Sequence, residues 1–192
     1  MVDDWRMDRI GSALRGENPA VLRRLNAGFA AIGDVQFLPG YSVLLVDDPK
    51  VERLSDLPRD KRLAFLSDMD RLGEAVERAS RHLDAAFRRV NLEILGNTDG
   101  FLHAHVWPRF EWEPADLVRM PVWLYPRDRW TEMQYALGPQ HDPLRKAIGD
   151  ELDRLHSANC QQGDHEAAVF SSRESVLVSR GSRGAGGVRS RQ

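Results

Sequence analysis

The chain has 192 residues, of which 42% are hydrophobic and 29% are charged, and its formal net charge is −2. This length and composition predict one globular domain with a buried core. The near-neutral charge argues against membrane partners and specific nucleic-acid partners. The single cysteine excludes an internal disulfide. Because the N-terminus also lacks the apolar stretch of a signal peptide, the cytoplasm is the expected compartment.

The first predicted element is a helix over residues 21–32. Apolar residues recur there at three- and four-residue steps, and Asn18 and Pro19 before them offer an N-cap and a first-turn proline. Two short strands are predicted next, over 35–38 and 41–46, with a Pro-Gly turn between them.

The longest predicted helix covers residues 58–83, where apolar residues follow a helical spacing and charges fill the other face. Two strands follow it, over 90–95 and 101–107, with a turn at 96–100. An aromatic and Pro-rich loop and a last helix from Asp142 complete the pattern. Glycine, serine and arginine dominate the end of the chain, which predicts a domain of residues 1–158 and a disordered tail over 159–192.

This order of elements predicts an α+β fold. Tight turns join the strands before and after the long helix, which favours a mostly antiparallel sheet with the long helix packed against it. Extra helices at the N- and C-terminal ends of the domain complete the prediction.

Two histidines lie two residues apart in the predicted strand 101–107. Because alternate residues of a strand point to the same face, His103 and His105 are expected side by side, with Phe101 and Trp107 on either flank. A single histidine in an apolar strand is often only a hydrogen-bonded core residue. Two buried imidazoles would each need a polar partner, which makes a functional role more attractive.

Two kinds of chemistry suit such a pair. As metal ligands, His103 and His105 would need a third or fourth ligand, for which Glu93 on the neighbouring strand is a candidate. In phosphate chemistry, a neutral imidazole can attack phosphorus near pH 7, and the second imidazole can stabilise the phosphoryl oxygens. The second interpretation is favoured, since the remaining histidines show no spacing typical of a metal site.

A longer segment carries both histidines, the run Phe101-Leu102-His103-Ala104-His105-Val106-Trp107-Pro108-Arg109. It resembles the motif of the histidine triad family, in which three histidines alternate with apolar residues and Pro-Arg often follows. The Pro-Gly strand region upstream and the entrance of the long helix are also similar, so the resemblance covers roughly residues 29–110. Two positions depart from the pattern: Phe101 replaces the first histidine of the triad, and Tyr41 replaces the histidine of the family's Pro-Gly-His region.

The resemblance implies a nucleotide hydrolase or nucleotidyl transferase, similar to diadenosine polyphosphate hydrolases. His103 would attack the α-phosphate of a dinucleoside polyphosphate or nucleotide conjugate and form a nucleotidyl-histidine intermediate. His105 would stabilise the phosphoryl oxygens and is a candidate to protonate the leaving group. The nucleotide-binding candidates are Asp34 for the ribose, with Asn97 and Arg109 for phosphate. The resemblance also implies a homodimer, and a covalent step that requires no cofactor, although a divalent metal ion can enter with the substrate.

Two alternatives stay open at this point. Phe101 is compatible with a non-catalytic nucleotide sensor of the same fold, and the His-x-His pair is compatible with a metal-dependent hydrolase. Without the resemblance, Asp34 and Asn97 have ordinary turn compositions around them, and Arg109 is equally a solvated strand end.

Overall fold

The computed structural model describes residues 4–158. The chain divides into two units, Met1–Asp153 and Arg154–Gln192, and the architecture below is that of the first. The predicted tail over 159–192 lies outside the described residues, so its predicted disorder stays a prediction. No helix within residues 4–158 combines the length and the apolar character needed to cross a membrane.

A five-stranded antiparallel sheet with the order β1-β2-β3-β5-β4 forms the centre of the fold. Its strands are β1 (Val21–Arg24), β2 (Gly28–Ile32), β3 (Ser42–Val46), β4 (Phe87–Glu93) and β5 (His103–Phe110). The helices are α1 (Arg9–Leu14), α2 (Arg59–Leu83), α3 (Asp128–Thr131) and α4, which covers 142–158. Helix α2 packs against the sheet, and the predicted α+β fold is confirmed.

Helix α2 begins after Pro58 and buries one face against the sheet. Phe65, Leu72 and Val76 on this face are fully buried and follow the helical spacing. Each such side chain stabilises the fold by about 1.5–3 kcal/mol relative to an exposed position. The predicted helix over 58–83 is therefore confirmed almost to the residue.

The helix predicted over residues 21–32 is wrong, because this segment forms the β1–β2 hairpin. Every residue of β2 is buried, and an apolar run buried on both faces has no period that separates a strand from a helix. Asn18 caps no helix: its Oδ1 accepts from the Ala20 N–H at 3.0 Å, and its Nδ2 donates to the Arg9 carbonyl at 3.1 Å. The hairpin is also tied to α2, since the Ala27 N–H donates to Asp68 Oδ2 at 2.7 Å.

The short strand predicted over 35–38 is also wrong, although the turn that follows it is confirmed. Val35 forms only an isolated bridge to Ala136, and β3 pairs instead with β2. In the turn, the Tyr41 N–H donates to the Leu38 carbonyl at 3.0 Å. Gly40 has a φ of 99°, a left-handed conformation that glycine adopts without steric cost.

The boundaries of β4 and β5 differ by several residues from the predicted 90–95 and 101–107. Strand β5 continues through Pro108 to Phe110, beyond the predicted end at residue 107. The pairing with β3 stops at Val106, whereas the pairing with β4 continues to Phe110. Pro108 therefore has only one neighbouring strand, and its missing N–H breaks no ladder on the other side. The last predicted helix is confirmed, with Ile148 and Leu152 of α4 buried.

Candidate active site

His103 and His105 lie side by side on β5, as the strand alternation predicts. Their ring centroids are 4.8 Å apart and the ring planes are nearly perpendicular, at 82°. The strand is held on both sides, because His103 pairs with Leu45 of β3 and His105 pairs with both Val43 of β3 and Glu93 of β4. Both histidines are buried, with exposed fractions of 3% and 6%. The pairing of β5 with both neighbouring strands therefore holds the two histidines side by side on one face of the sheet.

The hydrogen bond of His103 determines where its proton lies. Its Nδ1 is 2.8 Å from the Phe101 carbonyl oxygen. A carbonyl oxygen can only accept, so in the neutral ring Nδ1 carries the hydrogen and Nε2 keeps its lone pair. This is the tautomer that a nucleophilic histidine requires, with the basic nitrogen left free.

His105 lies in an aromatic environment and hydrogen-bonds to Tyr41, whose hydroxyl oxygen is 2.8 Å from His105 Nδ1. The rings of Tyr41 and Trp107 lie nearly parallel to the imidazole, and the Trp123 ring meets it edge-on at 4.9 Å. Burial in this environment, and secondarily the charge of a protonated His103, lower the pKa of His105 to about 4. His105 is therefore uncharged at neutral pH.

Both histidines line a cavity of about 140 Å³ that is partly open to solvent. The wall next to the histidines contains Tyr41, Val43 and Leu45, which alternate along one face of the β3 segment. The remaining wall brings together side chains from the N-terminal segment, the chain after β2 and the loop before β5, including Trp5, Arg9, Asn18, Asp34, Asp99 and Phe101.

Asp34 lines this cavity, and its carboxylate is bound by arginines. Arg9 Nη2 lies 2.6 Å from Asp34 Oδ2, and Arg9 Nη1 lies 3.3 Å from Oδ1. Arg6 approaches more loosely, with its Nε at 3.7 Å from Oδ2. This pairing orients the carboxylate at the cavity wall, and a carboxylate has further lone pairs that can accept from a ligand.

The structure does not bring Asn97 to the same cavity. Asn97 is exposed in the loop between β4 and β5, and the residues of this loop that do line the cavity include Asp99 and Phe101. The proposed phosphate contact from Asn97 has no geometric support.

Arg109 also lies outside the lining of this cavity, and its guanidinium is bonded to protein groups. It is buried, with 4% exposed, and its guanidinium donates to Glu113 through Nε at 3.0 Å and Nη2 at 2.9 Å. It also donates to the Val118 carbonyl at 3.0 Å and to the Tyr125 hydroxyl at 2.6 Å. These bonds connect the end of β5 to the following loop, so the guanidinium of Arg109 is bonded to protein groups.

A metal site at His103 and His105 would require a third ligand. Within residues 4–158, no three or more His, Cys, Asp or Glu side chains gather where they could hold a metal ion. The candidate Glu93 is occupied by two indoles, because its Oε2 accepts from Trp107 Nε1 at 3.2 Å and from Trp123 Nε1 at 3.1 Å.

Sequence analysis missed the roles of Tyr41, Arg9 and Trp123. A signal for Tyr41 was present, because it lies two residues before the strand partner of His105 and so faces the same side. Arg9 and Trp123 approach the site through tertiary packing across many residues, and no local pattern marks them.

Comparisons with known proteins give structural matches only. No protein-family model matches the chain, and no curated protein sequence matches it. The crystal structure of a histidine triad protein from Sinorhizobium meliloti matches with a TM-score of 0.56 and 15% identity, over 79% of this chain and 93% of that chain. A hypothetical histidine triad nucleotide-binding protein from Sulfolobus tokodaii matches with a TM-score of 0.56 and 14% identity, over 77% and 93%. The chain has the histidine triad fold.

A third match shares this fold and concerns metal binding in another protein. It is a zinc-bound histidine triad family protein from Mycobacterium smegmatis, with a TM-score of 0.51 and 18% identity, over 77% of this chain and 94% of that chain. The motif resemblance assigns Phe101 to the first triad position. Its ring meets the His103 imidazole at a centroid distance of 5.4 Å and an angle of 61°. An apolar ring therefore borders His103 where the resemblance places an imidazole.

Proposed function

We propose that the protein is a nucleotide hydrolase or nucleotidyl transferase of the histidine triad family, acting on a dinucleoside polyphosphate or a nucleotide conjugate. The observation that carries the proposal is the hydrogen bond from His103 Nδ1 to the Phe101 carbonyl. It leaves a lone pair on Nε2 of an imidazole that lines a cavity beside a second imidazole. This arrangement suits nucleophilic attack on phosphorus.

In the first step, His103 Nε2 attacks the α-phosphorus and forms a phosphorus–nitrogen bond. The bond from that phosphorus to the leaving oxygen breaks, and its electron pair stays on the oxygen. A polyphosphate leaves as an anion and needs no proton at that moment. The low pKa of His105 therefore favours a role as a neutral hydrogen-bond donor to the phosphoryl oxygens over the role of proton donor to the leaving group.

In the second step, water attacks the phosphorus and the phosphorus–nitrogen bond breaks. The electron pair returns to His103 Nε2, and the proton of the water passes to solvent as the nucleoside monophosphate is released. In a transferase, the hydroxyl of an acceptor replaces the water. Asp34 would accept hydrogen bonds from the ribose hydroxyls with the lone pairs that Arg9 leaves free. No metal is needed for either step, although a divalent ion can accompany a polyphosphate substrate.

The test is a panel of dinucleoside polyphosphates and nucleotide conjugates, with release of nucleoside monophosphate as the measurement. His103→Ala is the test variant, and His82→Ala, which removes an exposed histidine at the end of α2, is the matched control. The proposal requires release by the wild type and by His82→Ala, and none by His103→Ala. Full activity of His103→Ala would contradict it.

A nucleotide sensor is the second candidate, and the Phe101 ring beside His103 is the observation that favours it. A sensor would bind members of the same panel without releasing product. A metal-dependent hydrolase would instead contain stoichiometric metal that is lost in His103→Ala, together with activity that a chelator abolishes. Metal analysis of the purified protein separates this outcome from the other two.

Three further expectations belong to the proposal. We propose a homodimer, which sedimentation at micromolar concentration would test against a monomeric mass. We also propose that residues 1–158 suffice for folding and turnover, so a chain ending at residue 158 should keep both. Fractionation of the native host would test the proposed cytoplasmic location.

A further inference from the structure

Tyr41 is held in place from several sides. Its ring stacks on Trp107 at a centroid distance of 3.6 Å and an angle of 7°, and its carbonyl accepts from the Gly33 N–H at 2.8 Å and from Gln36 Nε2 at 2.9 Å. A Cβ atom at Gly33 would lie 2.2 Å from the Tyr41 ring, so the absence of a side chain there makes room for the tyrosine. These contacts fix the position of the Tyr41 hydroxyl, which hydrogen-bonds to His105 Nδ1.

The direction of this hydrogen bond follows from the surroundings of the hydroxyl. Within residues 4–158, His105 Nδ1 is the hydrogen-bond partner of the Tyr41 hydroxyl, and Tyr41 is only 8% exposed. If Nδ1 carried the hydrogen and donated it, the hydroxyl hydrogen of this largely buried tyrosine would have no protein acceptor within residues 4–158, which is unfavourable. If the hydroxyl donates, the remaining hydrogen lies on His105 Nε2, which is not among the fully buried polar atoms that lack a partner. Burial supports this, since it raises the pKa of Tyr41 and keeps the phenol protonated.

We propose that Tyr41 is a positioning residue that donates its hydroxyl hydrogen to His105 Nδ1 and so holds the His105 proton on Nε2. His103 and His105 are then fixed in opposite tautomers, although their rings are only 4.8 Å apart. The Phe101 carbonyl leaves His103 Nε2 as a lone pair, and the Tyr41 hydroxyl leaves His105 Nε2 as a donor.

Each tautomer suits a different role in the proposed reaction. A lone pair is needed to attack phosphorus, and an N–H is needed to bind the phosphoryl oxygens as negative charge develops on them. With the hydrogen on Nδ1 instead, His105 would present a lone pair to those oxygens and repel them. The catalytic consequence of Tyr41 rests on the proposed function, whereas the tautomer itself is a property of the free protein.

The experiment measures the tautomer of His105 and the effect of Tyr41 on turnover separately. Two-bond proton–nitrogen correlation NMR of ¹⁵N-histidine protein reports which ring nitrogen carries the hydrogen, and loss of the signal in His105→Asn assigns it. Tyr41→Phe removes the hydroxyl and retains the ring that stacks on Trp107. Tyr135→Phe is the matched control, because its hydroxyl bonds to Arg129 and lies outside the cavity lining.

We expect neutral His105 with its hydrogen on Nε2 in the wild type and in Tyr135→Phe, and a mixture of tautomers in Tyr41→Phe. On a substrate from the panel, Tyr41→Phe should lower kcat by about 10–100-fold, by analogy with the loss of the hydrogen-bond partner that orients a metal-ligating histidine. KM should change by less than about twofold, because substrate contacts are retained.

A wild-type His105 with its hydrogen on Nδ1 would overturn the inference, even if Tyr41→Phe failed to fold. A loss of kcat in Tyr41→Phe with the tautomer unchanged would overturn it as well. If no nucleotide were turned over while the predicted tautomers were observed, the proposed function would fail and the placement of the proton by Tyr41 would stand.

Discussion

The two ends of β5 carry buried polar side chains on the same face, and they differ in what those side chains leave unbonded. At one end, His103 and His105 each use Nδ1 for a protein hydrogen bond, and their Nε2 atoms have no such partner within residues 4–158. At the other end, Arg109 donates to Glu113, to Tyr125 and to backbone carbonyls. Burial is similar at both ends. Hydrogen-bonding capacity left free at a cavity, rather than burial of a polar group, therefore distinguishes the candidate active site from the structural network.

The largest expected effect is at the histidine end. His103→Ala should abolish turnover and leave nucleotide affinity within a few-fold of the wild type, because a nucleophile acts mainly on the barrier and contributes little to ground-state binding. Product release and equilibrium binding measure the two quantities. Retained turnover in His103→Ala, or a loss of affinity as large as the loss of rate, would show that His103 is not the nucleophile.

At the other end of β5, substitution of Arg109 should lower the stability of the fold. Arg109→Ala leaves Glu113, a buried carboxylate, without its cation and should lower the free energy of unfolding by about 3–5 kcal/mol. Glu113→Ala in the same chain should recover part of that loss, since no buried charge then lacks a partner. Denaturant unfolding of the single and double variants provides the comparison. A loss below about 1 kcal/mol would show that the network is not structural.

His105→Ala should slow the reaction without abolishing it. Removal of one donor that stabilises developing charge typically costs about 10²–10³-fold in kcat, or about 2.7–4 kcal/mol. Steady-state kinetics of folded protein measure this effect, with His82→Ala as the control for a histidine outside the site. An unchanged kcat would exclude His105 from contact with the phosphoryl oxygens.

The pH dependence of stability should also reflect His105. Its pKa is about 4 in the folded protein and about 6.5 when unfolded, so the unfolded state binds the proton first as the pH falls. The contribution of neutral His105 is complete above about pH 6.5 and is lost between there and pH 4. The total loss is about 3 kcal/mol, because each pKa unit is worth about 1.4 kcal/mol. Unfolding of His105→Phe across this range should lack that component; identical pH profiles would contradict the lowered pKa.

The elements with a clear period could be predicted from sequence. Helix α2, strand β3 and the shared face of His103 and His105 follow from local spacing, and the structure confirms them. The β1–β2 hairpin could not be predicted this way, because β2 is apolar throughout and burial on both faces removes the alternation.

The polar partners of the site were the least predictable part. Arg9 reaches Asp34 across 25 residues, and Tyr41 reaches His105 across 64, so both contacts depend on the completed fold. Arg109 showed the opposite difficulty. The resemblance implied a phosphate contact for it, whereas its hydrogen bonds to Glu113 and the following loop depend on the completed fold.

In the proposed reaction, His103 Nε2 becomes covalently attached to the nucleotide. The most direct measurement is to stop the reaction in mid-turnover with base, because the phosphorus–nitrogen bond is acid-labile, and to locate added mass by peptide mass spectrometry. We expect one nucleoside monophosphate group on the peptide that contains His103, and we expect this group to be lost on brief acid treatment and to be absent from His103→Ala. Turnover with no adduct under single-turnover conditions, or an adduct on another residue, would contradict it.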